Sequence, residues 1–284
     1  MHIHIWNILV IAVTVAAVSL ALTFLLFPTF LKSTIGVTAS SANDWPKRVL
    51  LRYQTRSIQM GYFAINPTFA WVFAWFKLRL DPMFRELPVF LRPMSDIQTA
   101  LDLGCGNGVA GCALLEWRPN LKIYGIDPNA ARVRTAAGVF ASRGSATPGR
   151  APDFENPNLP PRVDLVLLLD VIHFMPDEAV TLTLQRIRAR LDNGGYLIIR
   201  AIISPAGKGS WPWKMAAMRR RMTGSFVCHH SIERIRQMLT ATGFDIEMTQ
   251  PSGGNPELRW FIAKAIRNDA KRAATGQLPT EHGR

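Results

Sequence analysis

The segment Leu101-Asp102-Leu103-Gly104-Cys105-Gly106-Asn107-Gly108 constrains this chain more than any other. Residues with strand character run into a turn that has glycine at every second position. Val109–Trp117 then reads as a helix, stopped by Pro119. A strand that breaks into glycine and resumes as a helix opens a βαβ unit, whose crossover returns the chain to a parallel neighbour. The pattern continues downstream. Thr99–Leu103, Leu121–Ile126, Val163–Leu169, Tyr196–Arg200, Ile246–Thr249 and Arg259–Ala263 read as strands. Asn129–Ala141, Glu178–Leu191 and Ser231–Thr242 read as helices, the last two closed by Gly194 and Gly243. Residues 142–162 read as a long loop with a poor third strand near Gly149–Ala151. The expected class is α/β, a largely parallel sheet with helices on both faces.

Glycine turns of this kind let a ligand approach the backbone closely. Gly106-Asn107-Gly108-Val109-Ala110-Gly111 matches the dinucleotide pattern G-x-G-x-x-G, and Asp127 follows about 20 residues on. Two features argue against NAD. The place directly after the strand belongs to Gly104, outside the match. Asp102 at the strand end would repel a pyrophosphate, whose site relies on a positive helix N-terminus. A carboxylate there favours a cationic ligand, and S-adenosylmethionine carries an ammonium and a sulfonium with no phosphate. Asp127 would accept from ribose hydroxyls with either cofactor.

On these residues the chain resembles the class I, Rossmann-like S-adenosylmethionine-dependent methyltransferases. Leu101–Gly108 is similar to their first motif and Gly125-Ile126-Asp127 to their second. Leu168–Pro176 resembles the segment closing strand four, Leu191–Ile199 the turn into strand five, and Ala241–Phe244 the helix end before strand six. The resemblance implies a seven-stranded sheet with its last strand antiparallel. It implies that Asp102 faces the methionine amino end, that Gly104, Cys105 and Gly106 pass beneath the cofactor, that Asp127 with Pro128 holds the ribose side, and that Asp170 lies near the methionine moiety. One position departs from the family: Arg150 stands where an acidic residue often binds the adenine amine, and Asp153 is the nearby alternative, so the adenine contact stays open. A fainter resemblance, on Asp170–His173 and Arg200, is to the membrane-anchored methyltransferases of aryl-polyene and xanthomonadin-type pigment pathways.

Residues 1–31 contain no Lys, Arg, Asp or Glu, and Ile5–Phe27 is nearly all apolar. That is long enough for a transmembrane helix, which needs roughly 20 residues. A cleaved signal peptide would carry a basic start, and none is present. Lys32, Lys47, Arg48, Arg52 and Arg56 follow the apolar run, which places the bulk of the chain on the cytoplasmic side. Residues 32–98 read as a linker and an amphipathic helical collar; its stretch Phe69–Phe76 is too short to span, and ends in Lys77 and Arg79. The alternative is a helical subdomain with its aromatics packed inward. The methyltransferase domain is expected over 99–265 and a basic flexible tail over 266–284. Three scattered cysteines without a CxxC pair exclude a disulfide framework and a zinc site, and no metal is expected.

The net charge of +13 raises a nucleic-acid partner as an alternative. Its basic residues, however, sit among aromatics, no RNA-binding module is legible, and no nucleic acid is expected. A non-catalytic S-adenosylmethionine-binding module is the third reading. The leading one is methyl transfer, at oxygen, to a lipophilic acceptor, lipid-like or aromatic polyketide, reached from the bilayer with membrane lipid as a second partner. His173, after strand four, is the candidate base; the competing reading is that it packs beside the cofactor or caps the next helix. His229 and His230 read as the approach to the Ser231 helix cap. Trp211, Trp213 and Arg200 are the expected substrate or membrane rim, with a solvated basic helix as the alternative over 211–222.

Overall fold

Strand β4 (Val163–Leu169) is buried along almost its whole length, as a seven-residue apolar run between two neighbours and under two layers of helix should be. In the computed structural model, which describes residues 44–59, 65–203, 228 and 230–266, β4 lies in a seven-stranded sheet ordered β3-β2-β1-β4-β5-β7-β6. The other strands are β1 (Thr99–Leu103), β2 (Lys122–Asp127), β3 (Gly144–Pro148), β5 (Leu191–Ile202), β6 (Phe244–Ser252) and β7 (Asn255–Ala265). Strands β1 to β5 pair in parallel, and β7 inserts antiparallel between β5 and β6. The expected sheet with an antiparallel last strand is therefore present.

Strand β3 corrects the expectation. It runs over 144–148, ahead of the expected 149–151, and is an edge strand half-exposed along most of its length, so it carries no apolar alternation. The crossover helices are α4 (Val109–Trp117), α5 (Ala130–Phe140), α6 (Asp177–Arg190) and α7 (Ile232–Ala241). Asn129 caps α5 by accepting from the N–H groups of Ala131 and Arg132, and Ser231 caps α7 through Arg234 N–H. Leu101, Val166, Leu168, Leu184, Leu197, Leu239 and Phe261 belong to one contiguous core cluster.

Among the described residues, three helices precede the sheet: α1 (Trp45–Gln59), α2 (Ile65–Leu80) and α3 (Met83–Leu91). The chain forms two compact units that divide between Leu80 and Asp81, so α3 belongs with the sheet and the expected boundary at residue 99 moves back to 81. Glu86 on α3 explains why. Its carboxylate accepts from Ser252 Oγ, Gly253 N–H and Trp260 Nε1, each at 2.7 Å, and ties the helix to the β6–β7 turn.

The first unit is described by itself. Residues 45–80 hold six basic side chains and no acidic one. On α2, Ala70, Trp71 and Ala74 are buried, while Phe69, Phe73, Phe76 and Leu80 are exposed at helical spacing along one face. Lys77 lies 6.0 Å from the Phe73 ring and Arg79 4.6 Å from that of Trp75. Among the described residues no helix is long and apolar enough to cross a membrane. The expected anchor at 5–27, Trp211, Trp213 and most of the 266–284 tail lie outside the described residues.

Candidate functional site

The strand order fixes where a ligand can sit. From β1 the chain winds outward to β2 and β3, then returns to β4 and β5 on the other side of β1. The loops after β1 and β4 therefore diverge, and the crevice between them at the carboxyl edge is the binding place of such sheets. Asp102, Asp127, Asp170 and Arg200 lie at that edge, from β1, β2, the end of β4 and β5.

The glycine turn is held from beneath. Gly104 and Cys105 both donate to Ile126 O, at 2.7 and 3.0 Å. Gly104 has φ +82°, and a Cβ there would lie 2.4 Å from Val171 Cγ2. Gly106 has φ +55°, and a Cβ on it would meet nothing within 4 Å. The turn thus presses its first glycine against the β4 loop and opens its second to the crevice. Asp127 is pinned by both oxygens: Oδ2 accepts from Gly106 N–H at 3.0 Å and Oδ1 from Asn129 N–H at 2.8 Å. Each carboxylate oxygen keeps accepting capacity for a ligand hydroxyl. Pro128 stands exposed just beyond it. Asp102 is buried in β1, beside Gly125 and Leu167 on the adjacent strands.

Cys105 contributes backbone only. Its sulfur sits against Gly125, where an added Cβ would be 2.8 Å away. Burial pushes the thiol well above its ordinary pKa, and Asp102 and Asp127 add to the effect. Asp153 is exposed, and its carboxylate accepts from Arg186 Nη1 on α6 at 2.5 Å.

Arg200 is not a rim residue, which corrects the expectation. It is 3% exposed, because two carboxylates and an indole enclose it. Nε donates to Asp170 Oδ1 at 2.9 Å, and Nη2 donates to Asp170 Oδ2 as well. Nη1 and Nη2 donate to Asp81 at 2.5 and 2.8 Å, and the Trp260 ring lies 5.5 Å away. Burial works against the charge, but Asp170 and Asp81 outweigh it and hold the guanidinium pKa above its usual value. Asp170 adopts φ +59°, a strained conformation for a residue with a Cβ. Its N–H donates to Arg200 O at 2.8 Å.

His173 lies in a 3₁₀ turn (Ile172–Phe174), buried, its ring centroid 4.1 Å from that of Phe174. Its carbonyl accepts from Cys228 N–H at 2.9 Å. Two further residues gather at this turn: His230, expected only as the approach to the Ser231 cap, and Asp177. His230 is buried, with Nδ1 2.8 Å from Asp177 Oδ1 and Nε2 3.1 and 3.0 Å from the carbonyl oxygens of Ile172 and Met175. Asp177 also accepts from Arg234 Nε at 2.5 Å, and that bond foremost, with His230 assisting, lowers its pKa. The only sequence cue to Asp177 is an acid in the first turn of a helix.

Residues 101–197 match the sequence model of a methyltransferase domain. This stretch is a methyltransferase domain. It spans the glycine turn, Asp127, Asp170 and His173, and S-adenosylmethionine is its expected cofactor. Over 116 residues the chain is 34% identical to the ribosomal RNA large subunit methyltransferase G of Shewanella sp. strain MR-4, covering 38% of this chain and 30% of that protein. The chain thus spans less than a third of the length of the curated relatives it matches. Among solved structures, the methyltransferase fold recurs in human N-acetylserotonin methyltransferase in complex with S-adenosylmethionine, at TM-score 0.52 and 17% identity, over 80% of this chain and 57% of that one. It recurs in the mitomycin 7-O-methyltransferase at TM-score 0.51 and 21% identity, over 68% and 60%. At those identities the likeness is one of fold.

The cradle suits this cofactor. Gly106 leaves the open surface that a nucleoside needs, and Asp127 is preset as a hydroxyl acceptor. Asp102, Gly104, Gly106, Asp127 and Asp170 are the residues that would hold it.

Proposed function

We propose that this protein is a membrane-anchored S-adenosylmethionine-dependent methyltransferase that methylates a lipophilic small molecule at oxygen, with its catalytic domain on the cytoplasmic side. The observation that carries the transfer is the carboxyl-edge crevice, where a pinned Asp127 and buried Asp102 flank an open glycine backbone. The cofactor supplies an electrophilic methyl group on a sulfonium. The chain supplies alignment and exclusion of water, the main contributions such a displacement needs. His173 would take the acceptor hydroxyl's proton on its imidazole. The O-methyltransferase named among the structural neighbours supports oxygen as the acceptor atom.

Support for a lipophilic acceptor comes from the first unit. Its exposed stripe Phe69, Phe73, Phe76 and Leu80, on a basic and acid-free pair of helices, suits an anionic bilayer surface. The uncharged stretch 5–27 and the basic residues after it support an anchor with its C-terminal side in the cytoplasm. A ribosomal RNA substrate is the second reading, favoured by the 34% match and the net charge of +13.

The test incubates the full chain in nanodiscs with methyl-labelled S-adenosylmethionine and two acceptor pools, an organic membrane extract and ribosomal RNA. Label in an organic-phase product supports the proposal, and label in RNA overturns it. Asp127→Ala should weaken S-adenosylhomocysteine binding more than tenfold, over about 1.4 kcal/mol. Reporter fusions at both ends check the topology, and a periplasmic C-terminus would refute the orientation.

A further inference from the structure

The turn that follows β4 carries His173. Phe174 N–H donates to Val171 O and Met175 N–H to Ile172 O, each at 3.0 Å, after which the chain enters α6 through Pro176. A further constraint comes from 55 positions downstream. His230 points into the turn from behind and touches it at both ends, through Ile172 O and Met175 O.

Chemistry fixes how the ring must be protonated for this to work. Carbonyl oxygens only accept, so Nε2 must carry hydrogen. An ionised carboxylate also only accepts, and the Arg234 guanidinium, with His230, keeps Asp177 ionised to lower pH than usual. All three contacts are hydrogen bonds when both ring nitrogens donate. The ring is thereby held in one orientation by three acceptors from the turn and the start of α6, with Arg234 on α7 holding the far side of Asp177. Two backbone contacts reinforce it. Cys228 N–H donates to His173 O at 2.9 Å, and His230 forms a parallel bridge with Ile203 just past β5.

We propose that His230 is the positioning residue of the acceptor side: through Asp177 and the carbonyls of Ile172 and Met175 it sets the orientation and surroundings of the His173 ring. The inference rests on the methyltransferase reading of the site and adds to it a residue that touches neither cofactor nor acceptor. Breaking the clamp frees the turn to rotate about Val171 and Pro176, and the His173 ring moves with it. The glycine turn and Asp127 stand on other strands and stay in place.

The full chain, labelled at histidine Cε1 and held in nanodiscs, allows His173 to be followed by NMR across pH, with assignment by His173→Gln. The titratable and charged groups around the clamp are Asp177 and Glu178 at the start of α6, Glu233 and Arg234 at the start of α7, and the Cys228 thiol. His230→Asn and Asp177→Asn should each shift the His173 titration midpoint by at least about half a pH unit, because the surroundings of the His173 ring change when the turn is released. Binding of S-adenosylhomocysteine should stay within about threefold of wild type, less than 0.7 kcal/mol. A folded Asp177→Asn protein in which His173 titrates as in the wild type overturns the proposal. That variant decides the matter if His230→Asn does not fold. Wild-type protein that fails to bind S-adenosylhomocysteine would instead overturn the underlying reading of the site.

Discussion

Gly104 and Gly106 sit two residues apart in the same turn, both with positive φ, yet alanine should do different things at each. At Gly104 the left-handed conformation costs roughly 1–2 kcal/mol for a residue with a Cβ. The new methyl would also start 2.4 Å from Val171 Cγ2. Relief requires Val171 to move, and overpacking of this kind costs about 1–3 kcal/mol. The sum predicts a loss of about 2–5 kcal/mol for Gly104→Ala. At Gly106 only the conformational cost applies, about 1–2 kcal/mol, because nothing lies within 4 Å of the added Cβ. That methyl projects instead into the crevice a nucleoside would fill. Urea unfolding followed by circular dichroism measures the first effect, and calorimetric titration with S-adenosylhomocysteine the second. Gly104→Ala should be the less stable protein, whereas Gly106→Ala should lose only about 1–2 kcal/mol of stability and bind more weakly than wild type by tenfold or more. Equal unfolding midpoints for the two variants would refute the packing argument. Undiminished binding by Gly106→Ala would refute the placement of the cofactor.

Arg200→Met should destabilise the protein by about 1–3 kcal/mol, because it leaves the partly buried carboxylates of Asp81 and Asp170 without their shared guanidinium; a loss below 1 kcal/mol in urea titration would count against that network. Arg200→Lys should recover only part of the loss, since a point charge cannot serve both carboxylates bidentately. Asp177 has a folded pKa below its unfolded value, so its ion pairs stabilise the protein above about pH 4 and that contribution fades as pH falls through the folded value. Asp177→Asn should therefore narrow the stability difference between pH 7 and pH 3, and an unchanged acid unfolding profile would contradict the pairing. The Cys105 thiol, raised by burial and by Asp102 and Asp127, should react with a maleimide at neutral pH only as fast as the domain unfolds.

Much of the sheet was legible because its central strands are buried on both faces and read as plain apolar runs. Strands β1 and β4 and helix α4 fall within the expected limits, and so does the site glycine turn. Strand β3 is not legible in sequence because Gly144-Ser145-Ala146-Thr147-Pro148 has neither run nor alternation, and its pairing with β2 defines it. Helix α3 reads as part of the collar since Pro88 interrupts its pattern and its attachment runs through Glu86 to residues over 160 positions away. Arg200 shows the same limit at the site. A basic residue after Leu197-Ile198-Ile199 reads locally as a strand end reaching solvent. Its burial depends on Asp81, 119 positions earlier, for which no spacing rule exists. His230 reads as a helix approach because its three acceptors are two carbonyls and a carboxylate brought in by the turn after β4.

These distant contacts explain why the two loops at the switch point have the conformations they do. The first βα turn can pass close to the β4 loop only if Gly104 lacks a Cβ, since Val171 occupies that space. Val171 reaches it because Asp170 turns the chain through positive φ immediately before. That turn is unfavourable for aspartate alone, at a cost of order 1–3 kcal/mol, and needs over-determination from its surroundings. Arg200 supplies it twice: its carbonyl accepts the Asp170 N–H, and its guanidinium grips both carboxylate oxygens. Asp81 then holds Arg200 from just before α3, and Asp81 Oδ1 accepts from Met83 N–H at 3.0 Å. The floor of the crevice is thus a chain of constraints running from α3 through β5 and the end of β4 to the glycine turn on β1. Strain at Asp170 is what brings Val171 against Gly104, and the glycine is required there by packing as much as by any ligand.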